Sequence, residues 1–591
     1  MKKIWHERTK LWRRGLAMLL ALVGAIAFSA CSGTMLKGSA AQVPQVVLSI
    51  LSDPKTFNYV LNAESPNIFG LTYEGLLREN PLTGAIEPRL AKSWEISPDK
   101  LRITFTLREG LKWSDGQPLT INDVVFSYNK LFLNEEIPTN VRDSLRIGQS
   151  GKFPIVRKVD NQRVEFIFPE PFSPFVGATG LGILPAHALG KFVTEKDSEG
   201  KPIFLSKWGV DTPPNEIIVN GPYKLKSYAT SQRVVFERNP YFWRKDAQGN
   251  ALPYIQEVVW EIVENQDTSL LQFRSGDLDA IGISPEYYSL LKREEKRGKF
   301  TIYNGGPSYG TNFVFFNLNR GSRDGKPLVD PIKSRWFNNV KFRQAVAYAI
   351  DYQQMINNVF RGLGAPQKSP ISVQSPFYDD TLKGYSYNPD KARSLLKEAG
   401  FKYNDRGQLL DDRGNRVRFV LATNAGNKTR ESMMTQIVQN LAQIGIQVDP
   451  NPLAFNVVVD KLSNSLDWDC VLLGLTGGNE PNDGANVWFP EGNLHMFNQK
   501  PQPGEKEIES WEAADWERQI QQLYIQAAAE FDLAKRKALY AQTQQITEEY
   551  LPFIYLVNSL SLSAVRDRIQ PIQYSALEGA LWNIEELKIV E

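Results

Sequence analysis

Strand-like and helix-like segments alternate along nearly the whole chain, and no low-complexity linker longer than a few residues separates them. Ile103-Thr104-Phe105-Thr106-Leu107 alternates apolar and polar residues, the period of a strand with one buried face. Thr120, with Asp123 three residues on, has the spacing of a capping box ahead of Val124, Val125 and Tyr128. Asn388-Pro389 opens a helix with Ala392, Leu395, Leu396 and Ala399 on one face, and Gly400 closes it. Met433, Met434, Ile437, Val438, Leu441 and Ile444 form a second helical stripe, ended by Gly445 and followed by a strand at Ile446-Gln447-Val448. A methionine stripe at this spacing reads as core. Two Asp-Arg-Gly triplets around Gln408-Leu409-Leu410 read as the turns of a hairpin, without the ligand spacing of a calcium loop. This alternation favours an α/β or α+β class.

Length and composition bound the rest. At roughly 150 residues per domain, 591 residues make about four domain-sized units. The 42% hydrophobic content excludes disorder, and a mean hydropathy of -0.34 excludes a polytopic membrane protein. A formal charge of +2, from 68 basic and 66 acidic residues, gives no case for nucleic-acid binding. Two cysteines exclude a disulfide scaffold, and three histidines leave little for a metal site.

The first thirty residues read as a targeting segment. Basic residues from Lys2 to Arg14 precede a twelve-residue apolar run from Leu16 to Ala27. That run spans roughly 18 Å as a helix, short of the ~30 Å hydrocarbon core of a bilayer. Phe28-Ser29-Ala30-Cys31-Ser32 follows and resembles a bacterial lipobox, with Phe28 where Leu, Val or Ile is usual. Cys31 is therefore the expected lipidation site and mature N-terminus. Removing residues 1–30 takes six basic residues and one acidic residue away, leaving 62 basic and 65 acidic, a net -3. Cys470 then has no partner; in Asp469-Cys470-Val471-Leu472-Leu473 it reads as an inert buried thiol.

No standard catalytic signature is present: no G-x-S-x-G, no phosphate loop, no H-E-x-x-H and no C-x-x-C. Gly180-Leu181-Gly182 and Gly362-Leu363-Gly364 lack the third glycine of a dinucleotide fingerprint. His187 and His495 read as structural hydrogen-bonding residues. Paired carboxylates stay open as a hydrolase alternative, because their pairing is spatial.

Four stretches carry a family resemblance. They are Tyr73-Glu74-Gly75-Leu76-Leu77 with Glu87-Pro88-Arg89-Leu90-Ala91, running into Lys112-Trp113-Ser114-Asp115-Gly116-Gln117-Pro118-Leu119-Thr120; Asn220-Gly221-Pro222-Tyr223 with Asn239-Pro240-Tyr241-Phe242-Trp243; Val340-Lys341-Phe342-Arg343-Gln344-Ala345; and Arg536-Lys537-Ala538-Leu539-Tyr540 with Pro552-Phe553-Ile554. Together they resemble the family 5 extracellular solute-binding proteins of ABC importers, the oligopeptide- and dipeptide-binding group. The resemblance implies an α/β, two-lobed periplasmic-binding-protein fold (type II, large cluster) with an extra domain beside the N-terminal lobe. On that plan the N-terminal lobe comprises residues 46–82, 178–303 and 550–591, the extra domain 83–177, and the second lobe 304–549. The implied function is delivery of a small peptide or peptide-like solute to an ABC permease and its ATPase subunits, by hinge closure around the ligand. The implied protein is a monomer without catalytic residues, cofactor or metal, held by lipid in the periplasm, or at the cell surface of a one-membrane host. A secreted hydrolase and a non-transporting peptide-sensing or holdase receptor stay open as alternatives.

The same resemblance implies the site. Members commonly anchor the peptide's amino terminus on an aspartate shortly after a Gly-Trp pair. Here Gly474 keeps the glycine, Leu475 replaces the tryptophan, and Gly478 stands roughly where the aspartate would be, within Gly474-Leu475-Thr476-Gly477-Gly478-Asn479-Glu480. Glu480 or Asp483 is the substitute carboxylate, and the double glycine is either a flexible turn or a reshaped pocket. Asn62, Ala63, Glu64 and Ser65 offer backbone groups from the first lobe. Tyr309 and Phe313, after a hinge at Gly305-Gly306, and Phe455 and Trp488 are the candidate aromatic walls.

Overall fold

The computed structural model describes residues 44–62, 68–139, 141–501 and 506–590; Cys31, Ala63, Glu64 and Ser65 lie outside them. Four sheets organise the described residues after Pro44. The first is mixed: Gln45–Ile50 runs parallel to Glu257–Ile262, which continues antiparallel into Arg233–Arg238 and Tyr223–Ala229. The second is antiparallel, Ala280–Gly282, Val557–Arg566 and Phe300–Pro307, and Gly364–Pro366 adds to its long middle strand.

The third sheet is five-stranded, in the order Gln447–Leu453, Arg418–Asn424, Cys470–Leu475, Thr311–Phe316 and Ile554–Tyr555. Its central strands, Thr-Asn-Phe-Val-Phe-Phe and Cys-Val-Leu-Leu-Gly-Leu, carry unbroken apolar runs because helices cover both faces. Val340–Ala349 and Lys428–Ala442 supply much of that cover, with Met433, Met434, Ile437 and Leu441 in the core. Cys470 is buried there, and burial pushes its thiol well above the ordinary range, consistent with an inert group. The edge strand, expected only at 446–448, runs on to Leu453 through Pro450 and Pro452. An edge tolerates proline because one side of the strand has no ladder to serve.

The fourth sheet, Ala91–Ile96, Arg102–Leu107, Arg163–Ile167 and Ile155–Lys158, is antiparallel and half-buried. Ile103, Phe105 and Leu107 face its core, where Phe105 and Tyr128 meet Phe166 edge-on at 5.4 and 4.8 Å. The capping box forms as its spacing implies: Thr120 caps the helix Ile121–Phe126, and the Asp123 carboxylate accepts from the Thr120 N–H at 2.8 Å.

Two passages of chain join the second and third sheets. Phe300–Pro307 leads through residues 308–310 into Thr311–Phe316, and Ile554–Tyr555 leads through Leu556 into Val557–Arg566. The passages run side by side. The Ser308 N–H donates to the Ser559 carbonyl at 3.0 Å, and the Leu556 N–H to the Asn312 carbonyl at 2.9 Å. The Asn312 amide adds a bond to the Val557 carbonyl at 3.3 Å.

The C-terminal segment is clamped against Arg89 and Arg244 by buried charge. Arg89 lies 3.4 Å from Glu585 and 3.8 Å from Glu74, and Arg244 reaches both Glu585 and Glu586. Burial pushes the Glu74 carboxyl above its usual range, against the pull of Arg89. Arg89→Met leaves two buried carboxylates short of a partner, so urea unfolding of this variant is expected to show a loss of about 3–5 kcal/mol. A loss below about 1 kcal/mol, the scale of a surface ion pair, would contradict the buried role.

Candidate ligand-binding cleft

Three parallel strands of the third sheet, Arg418–Asn424, Gln447–Leu453 and Cys470–Leu475, end at one edge, where the antiparallel Thr311–Phe316 begins. In open α/β sheets this carboxyl edge is where ligands bind, because the loops leaving it are free to diverge. Each strand here is followed by a segment with a distinctive side chain: Arg430 after Asn424, Phe455 after Leu453, and the loop 476–483 after Leu475. Two surface hollows flank the helix Pro331–Phe337 at the opposite edge, lined among others by Asn319, Arg320, Arg418 and Asp449; they lie away from these loops.

The first of the two glycines is a packing requirement. A Cβ on Gly477 would sit 2.1 Å from the Tyr309 carbonyl oxygen, a distance no side chain tolerates. Neither Gly477 nor Gly478 adopts positive φ, so the flexible-turn alternative gives way to close backbone contact. That contact seats Asn479. The Tyr309 hydroxyl donates to Asn479 Oδ1 at 2.8 Å, and Ser375 Oγ donates to the Asn479 carbonyl at 2.8 Å. With its oxygen engaged, the Asn479 amide donates to Glu79, which belongs to the strand Leu77–Glu79 some four hundred positions earlier. Asn479 thus bridges two distant parts of the chain.

The two substitute carboxylates differ sharply. Glu480 is consumed internally: Arg536 holds both its oxygens, at 2.8 and 3.0 Å. Asp483 has no donor partner among the described residues. It keeps more than a third of its surface open yet is crowded on most sides, the situation of a group on a concave wall. Burial, then the negative charges of Glu480 and Glu79, push its carboxyl up to about 7. Glu79 is raised as well, by burial first and by Glu480 and Glu578, against the Asn479 bond.

The opposite charge is Arg430. Its Nη1 donates to Asn424 Oδ1 at 2.9 Å and its Nε to Asn312 Oδ1 at 3.4 Å, and no carboxylate pairs with it among the described residues. Burial alone pulls its guanidinium below the ordinary range, though it stays charged. Gly474 makes room for it: a Cβ there would lie 2.6 Å from Arg430 Nη2 and 2.4 Å from the Thr311 carbonyl. Arg430 was not among the sequence candidates. One signal was available: it stands in the first turn of the helix Lys428–Ala442, capped by Asn427, where the helix dipole disfavours a cation.

The remaining candidates divide. Phe455 is 58% exposed at the strand-end edge, beside exposed Val457 and Val459. Leu475 is half-buried and Thr476 exposed on the loop itself. Phe313 and Trp488 are corrections. Phe313 is 1% exposed and its ring packs at 4.5 Å on Phe553, because its strand is buried on both faces; Trp488 is 3% exposed among Phe497, Tyr524 and Phe553. Asn62 is half-buried, its Oδ1 buried without a hydrogen bond. His187 pairs with Asp115 at 2.8 Å, and His495 is fully buried between the Val487 carbonyl and Glu517.

A raised carboxyl means the folded protein binds the Asp483 proton more tightly than the unfolded chain does. The associated stability is present below pH ~4 and is lost as pH rises through about 7. Asp483→Asn is therefore expected to flatten the fall in stability between pH 5 and pH 8, read from thermal melts; an unchanged slope would refute the assignment. Gly477→Ala is expected to break the Tyr309–Asn479–Glu79 bridge and lower the melting temperature by several degrees, the scale of about 1–3 kcal/mol of overpacking.

Among the described residues no helix is long and apolar enough to cross a membrane. Residues 85–493 match the model of the bacterial extracellular solute-binding proteins, family 5 Middle. The protein named "Probable ABC transporter-binding protein" of Deinococcus radiodurans is 32% identical over 559 residues, covering 88% of each chain. The oligopeptide-binding protein AppA of Bacillus subtilis is 25% identical over 490 residues, 79% of this chain and 81% of its own. The structure of AppA with a nonapeptide superposes with a TM-score of 0.68 at 22% identity, over 93% of this chain and 99% of that one. NikA from Brucella suis, in complex with Fe(III)-EDTA, superposes with a TM-score of 0.74 at 19% identity, over 93% and 100%. The chain belongs to the family 5 extracellular solute-binding proteins, two-lobed extracytoplasmic receptors of ABC importers that bind peptides or related ligands and are not enzymes.

Proposed function

We propose that this protein is a lipid-anchored receptor for a short peptide or peptide-like solute carrying both a free amine and a carboxylate. The observation that carries the reading is the pair of unpartnered opposite charges at the carboxyl edge of one sheet. Arg430 contacts the chain at Gly474, and Asp483 approaches it at Gly478, where a Cβ would lie 3.8 Å from the carboxylate. Residues 474–478 span roughly 14 Å when extended, the reach of an extended peptide of two to four residues. Asp483, with Glu79 nearby, takes the ammonium; Arg430 takes the carboxylate in a two-pronged bond. The solvent-facing loop offers backbone groups for strand-like pairing, and Phe455 offers apolar surface to a ligand side chain. In closing, the lobes turn about the paired passages at 308–310 and 556, and the closed form is what docks on the permease. The lipid on Cys31 keeps the receptor at the membrane.

Titration calorimetry with trialanine, N-acetyl-trialanine and trialanine amide tests this. Trialanine is expected to bind, and each blocked peptide to bind at least about tenfold more weakly, since each leaves one partly desolvated charge unpaired. Arg430→Gln should mimic the amide and Asp483→Asn the acetyl. Trialanine affinity should rise about tenfold from pH 5.5 to pH 7 as Asp483 ionises. A melting shift with oligosaccharides and none with any peptide would overturn the peptide reading. For the anchor, Cys31→Ala should move the protein from the membrane fraction to the soluble one; retention would contradict it.

A further inference from the structure

We infer that Arg536 is a positioning residue for the cleft loop, and that it ties this loop to the unit built on the fourth sheet. The inference rests on the reading of 476–483 as the ligand-carrying loop. Arg536 opens the helix Leu533–Tyr550 and is 8% exposed. One side of its guanidinium holds the Glu480 carboxylate through Nη2. Its Nε donates at 3.0 Å to the Ala527 carbonyl, at the end of the preceding helix Asp515–Ala529. Phe377 and Tyr540 carry the guanidinium on their rings at 4.9 and 5.7 Å, which fixes its plane.

The helix end that Arg536 grips is also where a distant unit docks. The carbonyl of the next residue, Ala528, accepts from the Ser173 N–H at 2.7 Å. Ala528 is 2% exposed and packs into a hydrophobic cluster otherwise drawn from residues 57–258 and Ile584. Two residues on, Glu530 lies 3.8 Å from Lys100, whose ammonium sits 5.4 Å above the Phe531 ring. A continuous chain of contacts therefore runs from Glu480, through Arg536 and the 527–531 corner, to Lys100 and Ser173. None of these groups needs to touch ligand. The corner holds the fourth-sheet unit against the second lobe, and Arg536 makes that docking and the set of the cleft loop interdependent.

Hydrogen–deuterium exchange on the ligand-free protein tests this. Arg536→Gln should raise exchange about tenfold both at 476–483 and at 171–174, while the strand 418–424 stays protected. Ala528→Arg, which pries the corner apart from the far side, should produce the same two-site pattern. If Ala528→Arg loosens the whole fold, the surface variant Lys100→Ala decides, with an expected rise of about threefold at 476–483. Arg536→Gln acting on 476–483 alone, or either corner variant leaving that loop at the wild-type rate, would overturn the coupling. Failure of trialanine to bind the wild type would sink the peptide reading and leave this exchange pattern standing.

Discussion

The fold depends on how the chain crosses between its second and third sheets. Two of the crossings are direct and short, and they are hydrogen-bonded to one another as a narrow ribbon. Two of these bonds are backbone bonds and the third comes from the Asn312 amide, so the groups they join stay paired within the ribbon. The ribbon confines the direct link between these two sheets to a few residues, and each sheet keeps its own core. The third sheet, buried on both faces, is rigid enough to present loops at fixed positions. The rest of the site is built on that edge.

What stands on the edge is held at a cost. Among the described residues neither half-buried Arg430 nor Asp483, more than a third exposed, has a charged partner, and burial disfavours the charge of each. Glu480 and Arg536, a few residues away, show the ordinary solution of direct pairing. The difference separates charge that is satisfied internally from charge that is not. Asn312 and Asn424 reduce the cost at Arg430 by accepting its hydrogen bonds without cancelling its charge.

Local patterns in the sequence were readable because their physics is local. The Thr120–Asp123 box, the Asn388-capped helix and the methionine stripe each involve residues within a turn or two. The strand at 446–448 was read too short, because proline argues against a strand unless the strand is known to lie on an edge. The resemblance implies Phe313 as a cleft wall, but the residues of one strand do not reveal whether both its faces are covered, and here they are. The Glu79–Asn479 bridge and the Gly474–Arg430 fit join residues far apart in the chain, and no spacing rule reports them. The resemblance implies Gly477, Gly478 and Asp483 on one loop, but the reason for Gly477 is the Tyr309 backbone, which only packing shows.

The prolines at 450 and 452 have one more consequence. Any open sheet edge is a template on which an extended segment can add as a further strand. The outer strand of the largest sheet is such an edge, and two of its seven residues lack an N–H. A stray strand laid there meets an interrupted row of donors and cannot extend a regular ladder. An extended segment, from another molecule or from a second copy of the chain, is thus refused a regular ladder at this edge.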